Sequence, residues 1–427
     1  RDALTLRGGI GLFSGGNPNV WVSNAWSNDG VTNVQVRGDY FGSVQVLDPN
    51  AADYLPLIPG TPGGQIPQEL FDEVAATTPQ NGSIFFTNLI DPDYEQPREW
   101  KLALGGTWEM PWGGIQADFD YMYTELKKGA IYRDVSQEIV GQTILGAPIY
   151  EPVPGRGEGN LMLTNTGRTS RAHVVSAVFQ KSWDWGLDAL LGYAWTDATD
   201  VSPMTSFTAS SSFDNLATND INFPGPGPSN YVVRNRVTLR LSYAQELFGD
   251  NLTRFTLMGY YNEGQPNTYT VDSTDVLQVD RSRRHLLYIP DGPNDPNVVY
   301  DPNFPVVEFL DWARKRDLKG GQFVARNSID SHSSSRIDLR IDQAIPLGMP
   351  ELKARAFVKI YNFTNLLNDD WGWQYDSSFF SRDVVDVSGL TPTGQYIYED
   401  FSPQQISDLQ TFRSLWEIRL GLDIRFN

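Results

Sequence analysis

The chain contains no cysteine, which excludes a disulfide scaffold and any thiolate-bound metal. Histidine is almost as scarce: His173, His285 and His332 lie far apart, without the spacing of metal ligands. No stretch approaches the ~18 consecutive apolar residues of a membrane-spanning helix, and the mean hydropathy is -0.36. That pattern still admits a membrane β-barrel, whose strands need only about 10 residues of alternating character. Basic residues are in the minority, 33 Lys and Arg against 52 Asp and Glu, for a net charge of -19. So acidic a surface does not displace counterions from phosphate, so no nucleic-acid partner is expected. The chain opens RDALTLRGG, with neither initiator Met nor secretory signal, and is expected to be a piece of something longer.

What is present is alternation. About ten segments place apolar side chains on one parity and polar ones on the other, the period of a β-strand. Leu4, Leu6, Ile10 and Leu12 begin the series, followed by Trp100 to Trp108 and Ile115 to Tyr123. A less regular segment spans Leu161 to Lys181, and Leu187 to Trp195 form a clear row. Val233 to Tyr243, Phe255 to Tyr261, Ile337 to Ile341, Leu352 to Ile360 and Trp416 to Phe426 complete it. Short connections (MPWGG, SWDWG, LFGDN, PLGMPE) carry the Gly, Pro, Asn and Asp of tight turns. They take turns with long ones: Ser14 to Arg98, Lys127 to Asn160, Thr199 to Asn230, Gln265 to Ser331 and Asn368 to Gln410. A compact soluble domain rarely holds so many long loops.

One trimmed edge and one elaborated edge are the asymmetry of an outer-membrane barrel, with periplasmic turns and extracellular loops. The expected fold is therefore all-β: an antiparallel transmembrane β-barrel segment of about ten strands. Trp108, Trp112, Trp183, Trp185, Tyr193 and Trp195 near the turns would form an aromatic girdle. A soluble β-sandwich is the competing architecture. The apolar parity would face lipid, where an Arg or Lys costs roughly 2 to 4 kcal/mol at midplane. The charged parity would face the lumen: Arg234, Arg236, Arg240, Arg336, Asp338, Arg340, Asp342, Lys353, Arg355, Lys359, Arg419, Asp423 and Arg425. Cross-strand ion pairs are their expected structural role.

No catalytic constellation emerges, and no enzyme activity is expected. DSHSSS (Asp330 to Ser335) sets Asp, His and Ser side by side, but a triad needs convergent geometry, not adjacency. GGIGLFSGG (Gly8 to Gly16) lacks the dinucleotide-binding pattern and runs into Asn-Pro rather than a helix. No cofactor is expected, although the acidic stretch Asp291 to Asp301 has the oxygen ligands of a Ca²⁺ loop without an EF-hand order. RSRRH, with Arg281, Arg283 and Arg284, suits an anionic ligand group or a lipopolysaccharide phosphate. Trp371, Trp373, Tyr375, Phe379 and Phe380 either stack on a ring-bearing ligand or pack the loops on one another.

Six stretches in order carry a family resemblance. They are LRGGIGLFSGGNPNVWVSNAWSNDGV, REWKLALGGTWEMPWGGIQADFDYMYTE, LTNTGRTSRAHVVSAVFQKSWDWGLDALLGYAWTDATDVSP, SNYVVRNRVTLRLSY, FGDNLTRFTLMGYYNEGQPNTY and VKIYNFTNLLNDDWG. Through them residues 1–427 resemble the C-terminal barrel portion of TonB-dependent outer-membrane receptors, most closely the Oar-like branch. The resemblance implies a section of a larger barrel of about 22 strands. It implies TonB-energised uptake of a scarce ligand (siderophore, saccharide or peptide) across the outer membrane of a Gram-negative bacterium. It further implies contact of the lumenal charges with a plug, and partners in membrane lipid, lipopolysaccharide and the TonB complex. The family's plug and TonB box are not among these residues, and Asn427 follows the aromatic residue on which such receptors usually end. An adhesion protein using the barrel as an anchor is the alternative function.

Overall fold

A computed structural model describes residues 3–15, 19–27, 75–76, 87–156, 159–273, 284–348, 352–377 and 381–426. Ten long strands form its wall: β1 (Leu4–Ser14), β2 (Arg98–Glu109), β3 (Gln116–Lys127), β4 (Ser170–Ser182) and β5 (Leu187–Asp200). The other five are β6 (Asn235–Phe248), β7 (Asn251–Asn262), β8 (Ser334–Ile345), β9 (Leu352–Tyr361) and β10 (Glu417–Phe426). Each pairs antiparallel with its neighbour in sequence, an uninterrupted meander whose edges are β1 and β10. The fold is all-β, as the alternation predicts. The irregular segment Leu161 to Lys181 divides, however: Leu161–Asn165 joins another sheet, and only Ser170–Ser182 enters the wall.

Register fixes the tilt. Trp108, at the turn end of β2, stands in one ladder row with Ala117, Phe179, Leu191, Leu239, Gly259 and Ile337. Ile337 lies near the loop end of β8. The rows thus climb from turn end to loop end across the sheet, the stagger that tilted barrel strands require.

The same register sorts the side chains onto two faces. From Leu4 to Leu12, Trp100 to Trp108, Ala117 to Tyr123 and His173 to Phe179, the apolar parity carries no Asp, Glu, Lys or Arg. The same is true of Leu187 to Trp195, Val237 to Tyr243, Phe255 to Tyr261, Ile337 to Ile341, Ala354 to Ile360 and Ile418 to Phe426. Large side chains on this face stand open, with Ile10 at 73% and Leu420 at 77% relative exposure. At its turn end Trp112 packs edge-on to Trp108, and Trp183, Trp185 and Tyr243 form a row of tilted ring contacts. Tyr193 and Trp195 lie instead toward the loop end of β5, because β5 runs upward from its turn.

The opposite face bears the charges that the sequence assigns to it, and several of them are paired. The Arg7 guanidinium passes over Gly105 of β2 to reach Asp120 of β3 at 2.7 Å. A Cβ on Gly105 would collide with Asp120 Oδ1. Gly105→Val is therefore expected to lower wall stability by about 1–2 kcal/mol, read as a lower midpoint in the heat-dependent gel-mobility shift. Arg340 grips Asp342 through both Nε and Nη2, reaches Asp423 at 3.1 Å, and lies 4.1 Å over the Phe357 ring.

The hydrophobic core sits elsewhere. Among the described residues, only Ala117 and Ala354 of the buried apolar side chains belong to the wall. The others fill a cap built from the long connections. One core gathers Tyr269, Leu287, Phe309, Trp312, Val385, Tyr396 and Tyr398 around a five-stranded mixed sheet and the helix Val306–Lys315. A second gathers Tyr132, Tyr150, Leu161, Leu163, Phe213 and Ile221. Segments of different loops pair in parallel, as Pro266–Asp272 does with Ser381–Leu390. The described parts of the long connections are thus a folded layer rather than the irregular loops their composition suggests.

Candidate functional site

A cavity of about 470 Å³ opens on the charged face at its loop end. Its floor comes from wall strands: Tyr260 of β7, Arg336 of β8, Tyr361 of β9, and Glu417 and Arg419 of β10. These share one parity, so strand register alone points them the same way. The roof comes from two cap segments, Gln374–Asp376 and Phe412–Leu415.

Asn362 joins floor to roof. Its backbone takes the left-handed conformation (φ 49°) just after β9, and its N–H donates to Asp338 Oδ1 at 2.9 Å. Its side-chain amide donates to the carbonyl of Gly372, two residues before one roof segment, and to that of Ser414 in the other. Gln374 is held as firmly. It accepts from the Tyr260 hydroxyl at 2.8 Å, and its amide donates to the Ser335 carbonyl at 2.9 Å. Tyr375 stacks on His332 at 4.4 Å, and His332 Nδ1 lies 2.6 Å from Ser407 Oγ.

Charge in the cavity is balanced at each cation. Arg336 binds Asp338 with two nitrogens, at 2.6 and 3.2 Å. Arg419 binds Glu417 at 2.5 and 3.1 Å, and Arg413 holds both oxygens of Asp376 at 2.9 Å. The Tyr361 ring lies beneath Lys359 (3.9 Å), Arg419 (4.7 Å) and Arg336 (5.2 Å). Phe412 stands 93% exposed at the rim. Fixed donors and acceptors of balanced charge beside an open aromatic suit a polar ligand of low net charge.

Some residues that the sequence points to meet here and others do not. Arg336, Arg419 and Tyr375 line the cavity, and Asp338 backs it. Arg340 and Asp342 pair lower on the same face, while Lys353, Arg355 and Arg425 lie at its turn end. Arg234 is tied to Asp330 at 3.1 Å, which takes Asp330 away from His332. Arg236 and Arg240 point from β6 toward the charged face, outside the cavity. Arg284 is 1% exposed, donates to the Leu216 carbonyl and lies 4.2 Å over Phe213. It packs the cap and does not face a ligand. Arg281, Arg283, Phe379 and Phe380 lie outside the described residues. Trp371 and Trp373 are exposed outside the cavity, Trp373 donating to the Asp369 carbonyl.

In the acidic stretch, Asp295 already accepts from Asp291 N, Asn297 N and the Tyr288 hydroxyl, the pattern of a self-satisfied turn. Tyr260, Tyr361, Phe412, Arg413 and Gln374 are cavity residues that sequence reasoning missed. Tyr260 and Tyr361 could have been found as aromatics on the charged parity at strand ends. Arg413 and Phe412 carry no such signal.

No family model matches the chain. No curated protein matches it either. Among solved structures it is similar to the outer membrane transporter YddB from Escherichia coli, at 13% identity and a TM-score of 0.40. That likeness covers 80% of this chain and 34% of the transporter, so the chain spans about a third of its length.

Proposed function

We propose that this chain is the C-terminal wall and cap of an outer-membrane receptor-transporter of the TonB-dependent, Oar-like type. The loop-end cavity holds the ligand, binding it without catalysis. One observation carries the reading: the wall exposes an apolar face free of charge across the middle of its strands while the hydrophobic core lies in the cap. A soluble sandwich would bury that face against a second sheet. Lipid satisfies it instead, and lipopolysaccharide would meet the loop-end rim. Further strands of the full protein would pair with the free edges of β1 and β10, and its plug would meet the TonB complex. The balanced, tyrosine-rich cavity favours a polar solute of low net charge.

The test uses cells expressing the intact gene, fractionated and then incubated in defined medium. The protein is expected in the outer-membrane fraction, with heat-modifiable gel mobility. Depletion of a polar solute from the medium, followed by mass spectrometry, should be lost with an uncoupler and strongly reduced by Tyr361→Ala. A protein found outside that fraction, or depletion indifferent to the uncoupler, would refute the transport reading. Loss of cell attachment on deleting the gene, with no change in uptake, would favour adhesion.

A further inference from the structure

A second cavity, of about 780 Å³, opens on the charged face at the turn end. Four cations line it: Arg254 of β7, Lys353 and Arg355 of β9, and Arg425 of β10. Two carboxylates line it as well, Asp342 and Asp423. Asp342, only 5% exposed, is gripped by Arg340 at 2.7 and 3.0 Å, and Asp423 receives the same guanidinium at 3.1 Å. Arg355 reaches Asp342 only at 3.8 Å.

Arg254, Lys353 and Arg425 therefore have no ion pair or hydrogen bond among the described residues. Arg254 stands directly across the ladder from Asp342, yet Arg340 has taken that carboxylate. Lys353 and Arg425 are themselves cross-strand partners, and like charges directly opposite one another destabilise a sheet. This occurs in a chain of net charge -19, where carboxylates are in surplus. Elsewhere on this face Arg7, Arg336, Arg340 and Arg419 each hold an acid.

We propose that the turn-end cavity is a binding site for a multiply charged phosphate group, held by Arg254, Lys353 and Arg425. A phosphate presents several acceptor oxygens to converging guanidinium and ammonium donors and removes the repulsion between Lys353 and Arg425. The site is separate from the loop-end cavity and stands whether or not that cavity carries a transported solute.

The probe is pyrophosphate, titrated calorimetrically into the intact protein, from the whole gene, purified in an uncharged detergent at low ionic strength. Saturable binding is expected, weakened about tenfold or more by Lys353→Gln/Arg425→Gln. The control Arg236→Gln/Arg240→Gln removes two cations of the same face outside the cavity and should change affinity less than about twofold. Without the anion, Lys353→Gln/Arg425→Gln should also melt at a higher temperature, since it removes the repulsion. If that variant does not fold, Arg254→Gln alone must still weaken binding. No saturable binding, equal loss in the control, or tighter binding of a glutamate-rich peptide than of pyrophosphate would each overturn the assignment.

Discussion

Leu239→Arg is expected to cost about 2–4 kcal/mol and to prevent much of the protein from assembling in the outer membrane. Leu239 lies within the apolar row Val237 to Tyr243 of β6, between Leu191 of β5 and Gly259 of β7. An arginine there would hold its charge in hydrocarbon, with no carboxylate on that face from Leu187 to Trp195, Val237 to Tyr243 or Phe255 to Tyr261 to receive it. The neighbouring Thr238→Arg places the same residue on the charged face, where Arg236 and Arg240 already stand exposed, and should fold nearly as well as the parent. The comparison is made by the fraction showing heat-modifiable mobility after folding into lipid vesicles. Equal yields for the two variants would mean that the apolar face does not meet lipid.

Acid is expected to loosen the cap before it affects the wall, and His285 is the reason. Its ring is buried between Tyr396, stacked at 5.5 Å, and the edge-on Phe323 at 5.6 Å. Tyr396 donates its hydroxyl proton to Thr143 Oγ1 at 3.0 Å, so His285 Nε2 donates to the Tyr396 oxygen, also at 3.0 Å. Nδ1 is left with no partner among the described residues. Burial holds the imidazole neutral, with its pKa pushed down from 6.5 to about 3. Protonation would add an N–H facing apolar atoms.

The unfolded chain takes up a proton below about pH 6.5, and the folded cap does not until about pH 3. Stability is therefore full above pH 6.5 and falls through that window, by an amount on the order of 5 kcal/mol at its limit. His285→Gln should flatten the pH dependence between about pH 6.5 and 4, at some cost in stability at neutral pH. Trp312, in the same core, reports the loosening by fluorescence. An unchanged pH profile in His285→Gln would assign the acid sensitivity to carboxylates alone.

The junction at His285 also shows where sequence reasoning ends. Thr143 and Tyr396 are 253 positions apart, and nothing in either segment announces the other. The same holds for Arg284, whose basic neighbours mark it as a ligand residue until Phe213 and Leu216 are seen around it. Lys353 and Arg425 read as two more lumenal charges until Arg340 is found on both Asp342 and Asp423. The wall is different. Nine of its ten strands, with their turn and loop ends and the faces of their side chains, were legible in the residues, and only the start of β4 was not. Two-residue periodicity and turn chemistry act between near neighbours, and a meander pairs each strand with the next. The cap, the balance of charge in one cavity and its imbalance in the other were decided by tertiary structure. They depend on which long-range partners reach a group first, and local preference does not encode that competition.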